Sequence, residues 1–560
     1  MRNSSLKPWL TSLVVAVSPL IAQAAGPTPG AGSILQQVQP PTVPAPPSSE
    51  PVLTIQRQTS ETAAEGMSFA VTTLIITGNE KIDTQTLHAL VAESEGKTLT
   101  LVQLDALAAR ITQYYRDHGY PLTRAIIPAQ EIRGGVVRIE VLEARYGKIL
   151  LNNSGPVDEN LLHKTLAPLQ SDTIVEQAAM DRTLLLLSDI PGVGVNATLK
   201  PGDSVGTSDL LVNTLPTASV TGNATADDYG NRYTGRARLG AGVTLNNPLL
   251  QYGDTLYVSG LSSGRNLNFG RAAYESWING EGTRLGGSWS ALHYILGGPL
   301  ASLEGHGNAD VGSLWLRHPL VRSRNFNLYG QIQYDRMWLQ DHLDVNAILT
   351  DRHLSNWIGS FSGDVQDTLL TGGFSTWNLS LTSGQVNFDN NAAGLADAAS
   401  TKTQGEFTKG NLTLSRLQNL GTQNALYLTL YGQWANSNLD PSQQMVLGAP
   451  YSVRAYDMGA LSADAGVQGS VELRHALGAA LDGDWQAVAF VDSAHASINR
   501  NTWTTGVNDV AMSGAGLGFN WVGRNQWIAK MSVATPIGSR PVLVGTTAST
   551  HAWLEISRLF

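Results

Sequence analysis

Phe326-Asn327-Leu328-Tyr329-Gly330-Gln331-Ile332-Gln333-Tyr334-Asp335 alternates at every step. Phe326, Leu328, Gly330, Ile332 and Tyr334 fall on one face, and Asn327, Tyr329, Gln331, Gln333 and Asp335 on the other. Side chains point to opposite faces at a period of two, so this is a strand with one apolar and one polar surface. Trp527–Val533 repeats the pattern, and in Val471–Arg474 the pair Val471/Leu473 opposes Glu472/Arg474. Leu426–Trp434 alternates less cleanly. A half-buried soluble sheet alternates in the same way, so scale must decide. From Pro216 to Phe560 helical periodicity is absent, and short alternating runs are broken by Gly, Asn and Asp. Backbone groups in lipid must all be paired within the protein, which permits a closed barrel with a polar lumen. At ~9–11 residues per tilted strand, residues 216–560 accommodate about 16 strands. Eight would leave very long loops and 22 almost none. Trp277, Trp289, Trp315, Trp338, Trp357, Trp377, Trp434, Trp503 and Trp553 suit the aromatic girdles of such a barrel.

The composition agrees. The 560-residue chain is only 14% charged, with 57 Gly, no Cys and a formal net charge of −9. Absent Cys excludes disulfide scaffolds, thiol nucleophiles, iron–sulfur clusters and Cys-ligated zinc. An acidic balance without a basic run argues against nucleic acid. No cofactor and no metal cluster are expected, His293, His306 and His318 being read as scattered loop residues. Gly260–Gly264 matches G-x-S-x-G but lacks the strand-to-helix elbow and the partners that pattern needs, so no catalytic residue is assigned and an enzyme is not expected.

Working toward the N-terminus, Arg2 and Lys7 precede an apolar run from Trp9 to Ala22, and Ala22-Gln23-Ala24 fits a cleavage site, so residues 1–24 read as a signal peptide. Residues 25–39 hold a short helix with Ile34, Leu35 and Val38 on one face. Residues 40–68 read as a linker whose first part carries six prolines between Pro40 and Pro51, an extended spacer. Two units of the order strand–helix–helix–strand–strand follow, over 69–146 and 147–215. In the first, Asp83 caps a helix, and Leu104, Leu107, Ala108, Ile111, Tyr115 and His118 share one face of a second. Repetition of one order marks an internal repeat.

That order resembles the POTRA module of outer-membrane transporters, on Tyr114-Tyr115-Arg116, Gly119-Tyr120, Pro128-Ala129-Gln130 and Val141-Leu142-Glu143. The terminal run Ala552–Phe560, closing on an aromatic, resembles the outer-membrane assembly signal at Phe560, with Arg558 sharing its face. A long polar stretch after Pro441 contains Val453-Arg454-Ala455-Tyr456-Asp457, and Phe490-Val491-Asp492 lies beyond. Together these resemble the TpsB transporters of two-partner secretion, of the FhaC/ShlB type, related to BamA-type assembly proteins.

The resemblance implies a transmembrane β-barrel of about 16 antiparallel strands at 216–560, preceded by two POTRA-like periplasmic domains. It implies a Gram-negative outer membrane and export of a large adhesin, haemolysin or haemagglutinin exoprotein recognised through its N-terminal secretion domain. Other implied partners are outer-membrane lipids and, during biogenesis, the barrel-assembly machinery. Val453, Arg454, Ala455 and Tyr456 correspond to the VRGY tip of a loop folded into the lumen, and Phe490 and Asp492 to an inward FxD motif. Arg454 is then expected to pair with Asp492, and the Ile34–Val38 helix to plug the resting pore. Ala455 replaces the motif Gly and would be strained at positive φ; Ala494 stands where a Gly is frequent. An assembly factor of the BamA type is the alternative, and a passive porin a weaker one.

Overall fold

The computed structural model describes residues 28–38, 51–55, 68–544 and 548–560. The expected signal peptide, residues 1–24, and the proline-rich part of the expected linker, 40–50, lie outside the described residues.

The chain opens with α1 (Ala31–Val38), followed by β1 (Val52–Ile55). The first module comprises β2 (Ser68–Ala70), β3 (Thr73–Thr77), α2 (Thr84–Ala89), β4 (Thr98–Thr100), α3 (Leu101–Asp117), β5 (Arg124–Ile126) and β6 (Val136–Leu142). Asp83 caps α2 by accepting the Thr86 amide at 2.8 Å. Thr100 and Gln103 form a reciprocal capping box at the start of α3. The apolar face of α3 covers a three-stranded sheet of order β3-β6-β5. Tyr115 Oη donates to Glu143 Oε1 at 2.7 Å, and the same oxygen accepts the Glu80 and Lys81 amides. These residues therefore tie the module together internally.

The second module runs β7 (Arg145–Asn153), α4 (Glu159–Leu166), α5 (Gln177–Ser188), β8 (Val193–Pro201) and β9 (Thr207–Pro216). Its strand order β7-β9-β8 repeats β3-β6-β5, with the same parallel and antiparallel pairings. One difference corrects the linker assigned to 40–68. Val52–Ile55 pairs in parallel with β8 as a fourth strand of the second module's sheet. Its partner lies about 140 positions downstream, so local composition carries no signal of the pairing, while Leu53 and Ile55 gain burial against that module's core.

Sixteen antiparallel strands close a barrel from Val220 to Leu559. The last strand (His551–Leu559) pairs with the first (Val220–Asp227), and Phe560 and Gly222 exchange backbone hydrogen bonds of 3.0 and 2.8 Å across the seam. Phe560 and Arg558 both face outward, Arg558 lying 5.6 Å from the Trp527 ring centroid. Long strands such as the seventh (Phe326–Leu343) and eighth (Ile348–Asp367) exceed what a bilayer requires.

Three further expectations are corrected. Trp277 and Trp553 are buried, and Trp315 turns inward to donate to Glu275 Oε2 at 2.7 Å, so they leave the girdle. Alternation places each opposite an outward neighbour, as Leu554 beside Trp553 shows. Trp289 and Trp338 do face outward, 5.5 Å apart. His293, His306 and His318 sit on strands rather than in loops. The lumen is not uniformly polar either. Leu292, Tyr294, Ala309, Val311, Leu339, Leu354 and Phe407 form an inward apolar patch, because an element of the chain itself packs there.

The second module seats on the periplasmic rim. Arg322 grips Asp189 with two hydrogen bonds (2.7 and 2.8 Å), and Arg324 reaches Asp181 at 2.9 Å. Trp277 is buried against the module's core.

Candidate functional site

The connection between the eleventh (Asn424–Ala435) and twelfth (Ala465–Ala480) barrel strands is the sixth on the outer side. It turns back into the lumen around a short hairpin, Met445–Leu447 with Leu461–Ala463. Val453, Ala455 and Tyr456 are buried there. The wall they meet follows from strand period and register. Val471, Leu473 and Val491 point outward, so Ser470, Glu472, Phe490 and Asp492 point in. Ser470 is registered against Asp492 and Glu472 against Phe490 across the twelfth and thirteenth (Gly483–Ser497) strands, making one inward cluster.

The structure brings Arg454 and Asp492 together at its centre. Arg454 Nε donates to Asp492 Oδ2 (2.8 Å) and Nη2 to Oδ1 (2.6 Å), while the Arg454 amide donates to Oδ2 at 3.0 Å. This is the two-pronged geometry that a planar guanidinium provides and an ammonium does not. Nη1 donates to Glu472 Oε1 at 2.7 Å and Nη2 to Ser470 Oγ at 2.9 Å. The guanidinium carbon lies 3.4 Å from the Phe490 ring centroid, so the fork is also stacked. The Arg454 carbonyl accepts Trp553 Nε1–H at 2.7 Å, tying the loop to the last strand. Glu472 also takes two hydrogen bonds from Arg474. Two cations thus face two carboxylates. Burial works against the Arg454 charge, but the Asp492 and Glu472 carboxylates outweigh it and raise its pKa.

Ala455 carries no strain, since it is not among the described non-Gly residues with positive φ. The expected penalty is therefore corrected. Its methyl instead lies against Gly514 of the fourteenth strand (Asp509–Gly523), and a Cβ at Gly514 would collide with it. Likewise a Cβ at Gly516 would collide with the Phe490 ring. Two glycines flatten the wall where the loop and the FxD-like motif need space. Ala494 is buried on the same inward face. Next to the tip, Asp457 faces Arg236 at 2.7 Å, His551 at 3.4 Å and Arg232 at 3.8 Å. His551 first, then the Arg236 and Arg232 charges, hold its carboxyl below the ordinary range despite burial.

A second element occupies the lumen. Helix α1 buries Ile34, Leu35 and Val38 on the apolar patch. Its Ala31 amide donates to Asp341 Oδ1 at 2.5 Å, supplying a carboxylate to the helix N-terminus. Asp341 also accepts from Tyr294 Oη (2.6 Å) and Arg352 Nη1 (2.7 Å). Arg352, buried on the eighth strand, donates through Nε to Asp440 at the base of the inward loop. Gln36 Nε2 donates to the Ser442 carbonyl at 2.5 Å, and Gly32 sits so close to Ser442 that a Cβ would lie 2.6 Å from its amide nitrogen. Helix, wall and loop are therefore linked by hydrogen bonds that each use at least one side chain.

Sequence reasoning missed Ser470, Glu472, Trp553, Asp341, Arg352 and Asp440. Glu472 carried a signal as the polar member of an alternating strand, but its partner depends on a register no local pattern states.

Comparison with known proteins fits this arrangement. Residues 69–144 match the POTRA domain, ShlB-type, and residues 206–521, more than half of the chain, match haemolysin secretion/activation protein ShlB/FhaC/HecB. The chain is 28% identical over 487 residues to the heme/hemopexin transporter protein HuxB of Haemophilus influenzae (strain 86-028NP), covering 86% of this chain and 85% of that one. It is 26% identical over 411 residues to the outer membrane transporter CdiB of Escherichia coli O6:K15:H31 (strain 536 / UPEC), covering 71% and 67%. Among solved structures it superposes on CdiB from Escherichia coli with a TM-score of 0.69 at 21% identity, covering 90% and 93%. It superposes on BamA from Haemophilus ducreyi lacking POTRA domains 1–3 with a TM-score of 0.52 at 16% identity, covering 88% and 100%. With its barrel, its ShlB-type module and its lumenal loop on the page, the chain belongs to the haemolysin secretion/activation protein ShlB/FhaC/HecB family, the outer-membrane transporters of two-partner secretion.

Proposed function

We propose that this transporter exports one large exoprotein of the adhesin, haemolysin or haemagglutinin type as an unfolded chain, engaged through the exoprotein's N-terminal secretion domain by the two periplasmic modules. The cargo threads the barrel and folds outside, and that folding supplies the driving force; no G-x-x-x-x-G-K-[ST] nucleotide loop occurs in the sequence. One observation carries this reading. The lumen is filled by two elements, α1 and the Arg454 loop, held by side-chain bonds that can exchange rather than by the wall's strand ladder. In this reading α1 (Ile34, Leu35, Val38) plugs the resting pore. The pair Arg454–Asp492, framed by Val453, Ala455, Tyr456 and Phe490, fixes the loop in one register. Phe560 serves the barrel-assembly machinery during insertion, and outer-membrane lipids surround the girdle.

A helix that plugs the lumen serves an exporter and has no role in a factor that inserts other barrels, which favours export over the assembly reading. The test is reconstitution in a laboratory Gram-negative host with a genetically adjacent large exoprotein. Export that depends on this chain supports the proposal. Retention of the exoprotein in the periplasm, together with altered levels of unrelated barrels, contradicts it.

A further inference from the structure

The outer wall beside the barrel seam carries a cavity that neither α1 nor the inward loop uses. The fifteenth barrel strand (Trp527–Pro536) turns Trp527, Ala529, Met531 and Val533 outward. Ala529 is registered between Trp521 of the fourteenth strand and Ile556 of the last, and Met531 between Phe519 and Leu554. One small side chain is thus ringed by large ones. A cavity of about 240 Å³ opens over it, lined by Trp485, Phe519, Trp521, Ala529, Met531 and Leu554. Its floor is shaped by two glycines. Gly483 and Gly523 face each other across the strands, and a Cβ at either would collide with the Trp521 indole, so the ring lies flat against the backbone.

The cavity sits at the periplasmic end of the wall. Leu481, in the turn between the twelfth and thirteenth strands, borders it. The neighbouring turn carries Arg524, an exposed side chain 3.3 Å from the likewise exposed Asp482. A pair so exposed holds its partners weakly. One outward position below Ile556, Arg558 leaves the last strand beside Trp527, 5.6 Å from its ring centroid. No carboxylate pairs with Arg558 among the described residues. Two residues of strand separate it from the row of Ale529's neighbours by about 7 Å. Its long stem lets the guanidinium sit at the headgroup level while the residues above it stay in hydrocarbon. An unpaired outward arginine below an apolar cavity suits a ligand with an anionic head and a hydrocarbon chain.

We propose that this cavity seats one acyl chain of an anionic phospholipid of the inner leaflet, with the phosphate on Arg558 and within reach of Arg524. Lipid covers the outward face of an outer-membrane barrel, and the two guanidinium groups select among its lipids. A zwitterionic headgroup brings an ammonium that both arginines oppose, so a net negative headgroup binds better. The arginine that shares the outward face with Phe560 thereby gains a partner. This inference depends on the barrel's place in the membrane and not on any exported cargo.

The full-length transporter, extracted in mild detergent, is offered phosphatidylglycerol and phosphatidylethanolamine at equal concentration. In native mass spectrometry it is expected to retain phosphatidylglycerol at least threefold more. Arg558→Gln should abolish that preference. Ala529→Phe fills the cavity with a side chain suited to the lipid face and should remove most of the retained phosphatidylglycerol. Heat-modifiable migration checks that each variant is folded. The chain has no cysteine, so a fluorophore on Gln526→Cys gives a second readout with the cavity unaltered. In vesicles, spin-labelled phosphatidylglycerol should quench it more strongly than spin-labelled phosphatidylethanolamine at equal content. Equal retention or equal quenching by the two lipids overturns the proposal. So does a preference that survives Arg558→Gln, undiminished phosphatidylglycerol on folded Ala529→Phe, or a second copy of the chain held there in place of lipid.

Discussion

Arg454 is held by two carboxylates, a serine hydroxyl and an aromatic face, with its own amide and carbonyl also bonded. Removing it leaves Asp492 buried without its countercharge, a defect of about 3–5 kcal/mol for a buried pair. Since the attraction is offset by desolvation in the intact pair, the site specifies position more than it adds stability. Arg454→Lys keeps the charge and loses the fork, so it is expected to fall near Arg454→Ala in an export assay. Glu472→Gln retains an acceptor and should lose less. The contact between Ala455 and Gly514 is testable separately. Gly514→Ala is expected to unseat the loop, seen as faster protease cleavage within residues 448–460, and Ala455→Gly in the same chain should recover most of the protection. How much of this was legible depends on distance along the chain. Phe490 and Asp492 share a face by period alone, whereas the pairing of Asp492 with Arg454 was expected only from the resemblance to the two-partner secretion transporters. That Glu472 stands beside Phe490 requires the register of the twelfth and thirteenth strands. That the Ala455 methyl lies against Gly514 requires the fourteenth.

At the scale of elements, the lumen holds a helix and a loop joined directly at Ser442 and also through one buried arginine. Asp341 binds the α1 N-terminus and Arg352, and Arg352 binds Asp440 at the foot of the loop. Asp341→Ala removes the carboxylate at the helix N-terminus and one partner of Arg352. It is expected to raise the frequency of channel opening in planar bilayers without changing the amount of folded barrel. Deleting residues 26–45 should go further and raise the conductance itself; an unchanged conductance would count against α1 as a plug. The helix and its apolar face were readable from Ile34, Leu35 and Val38, whereas its seat was not. An apolar patch on strands that otherwise read as polar inside is intelligible only once the helix covers it. The strand at Val52–Ile55 was hidden for a similar reason. Four residues beside a proline-rich run have no periodicity to measure, and their partner is a strand of a distant module.

For the whole molecule, the length of residues 216–560 led to sixteen strands, because each crossing of the bilayer takes about 9–11 residues of tilted strand plus its connection. The module's seat on the barrel was not readable, since it rests on Asp181 and Asp189 meeting Arg324 and Arg322 more than 130 positions away. Arg322→Ala is expected to broaden the distance distribution between spin labels placed on the second module and the barrel rim, with the barrel itself intact. These scales converge on one claim: a side-chain lock between the inward loop and the wall sets the pore for export. The most direct measurement is exoprotein release by Arg454→Ala, normalised to the folded barrel seen by heat-modifiable migration. The account expects release to fall at least tenfold with the barrel inserted at its normal level. Release at the wild-type rate from an inserted Arg454→Ala barrel would contradict it.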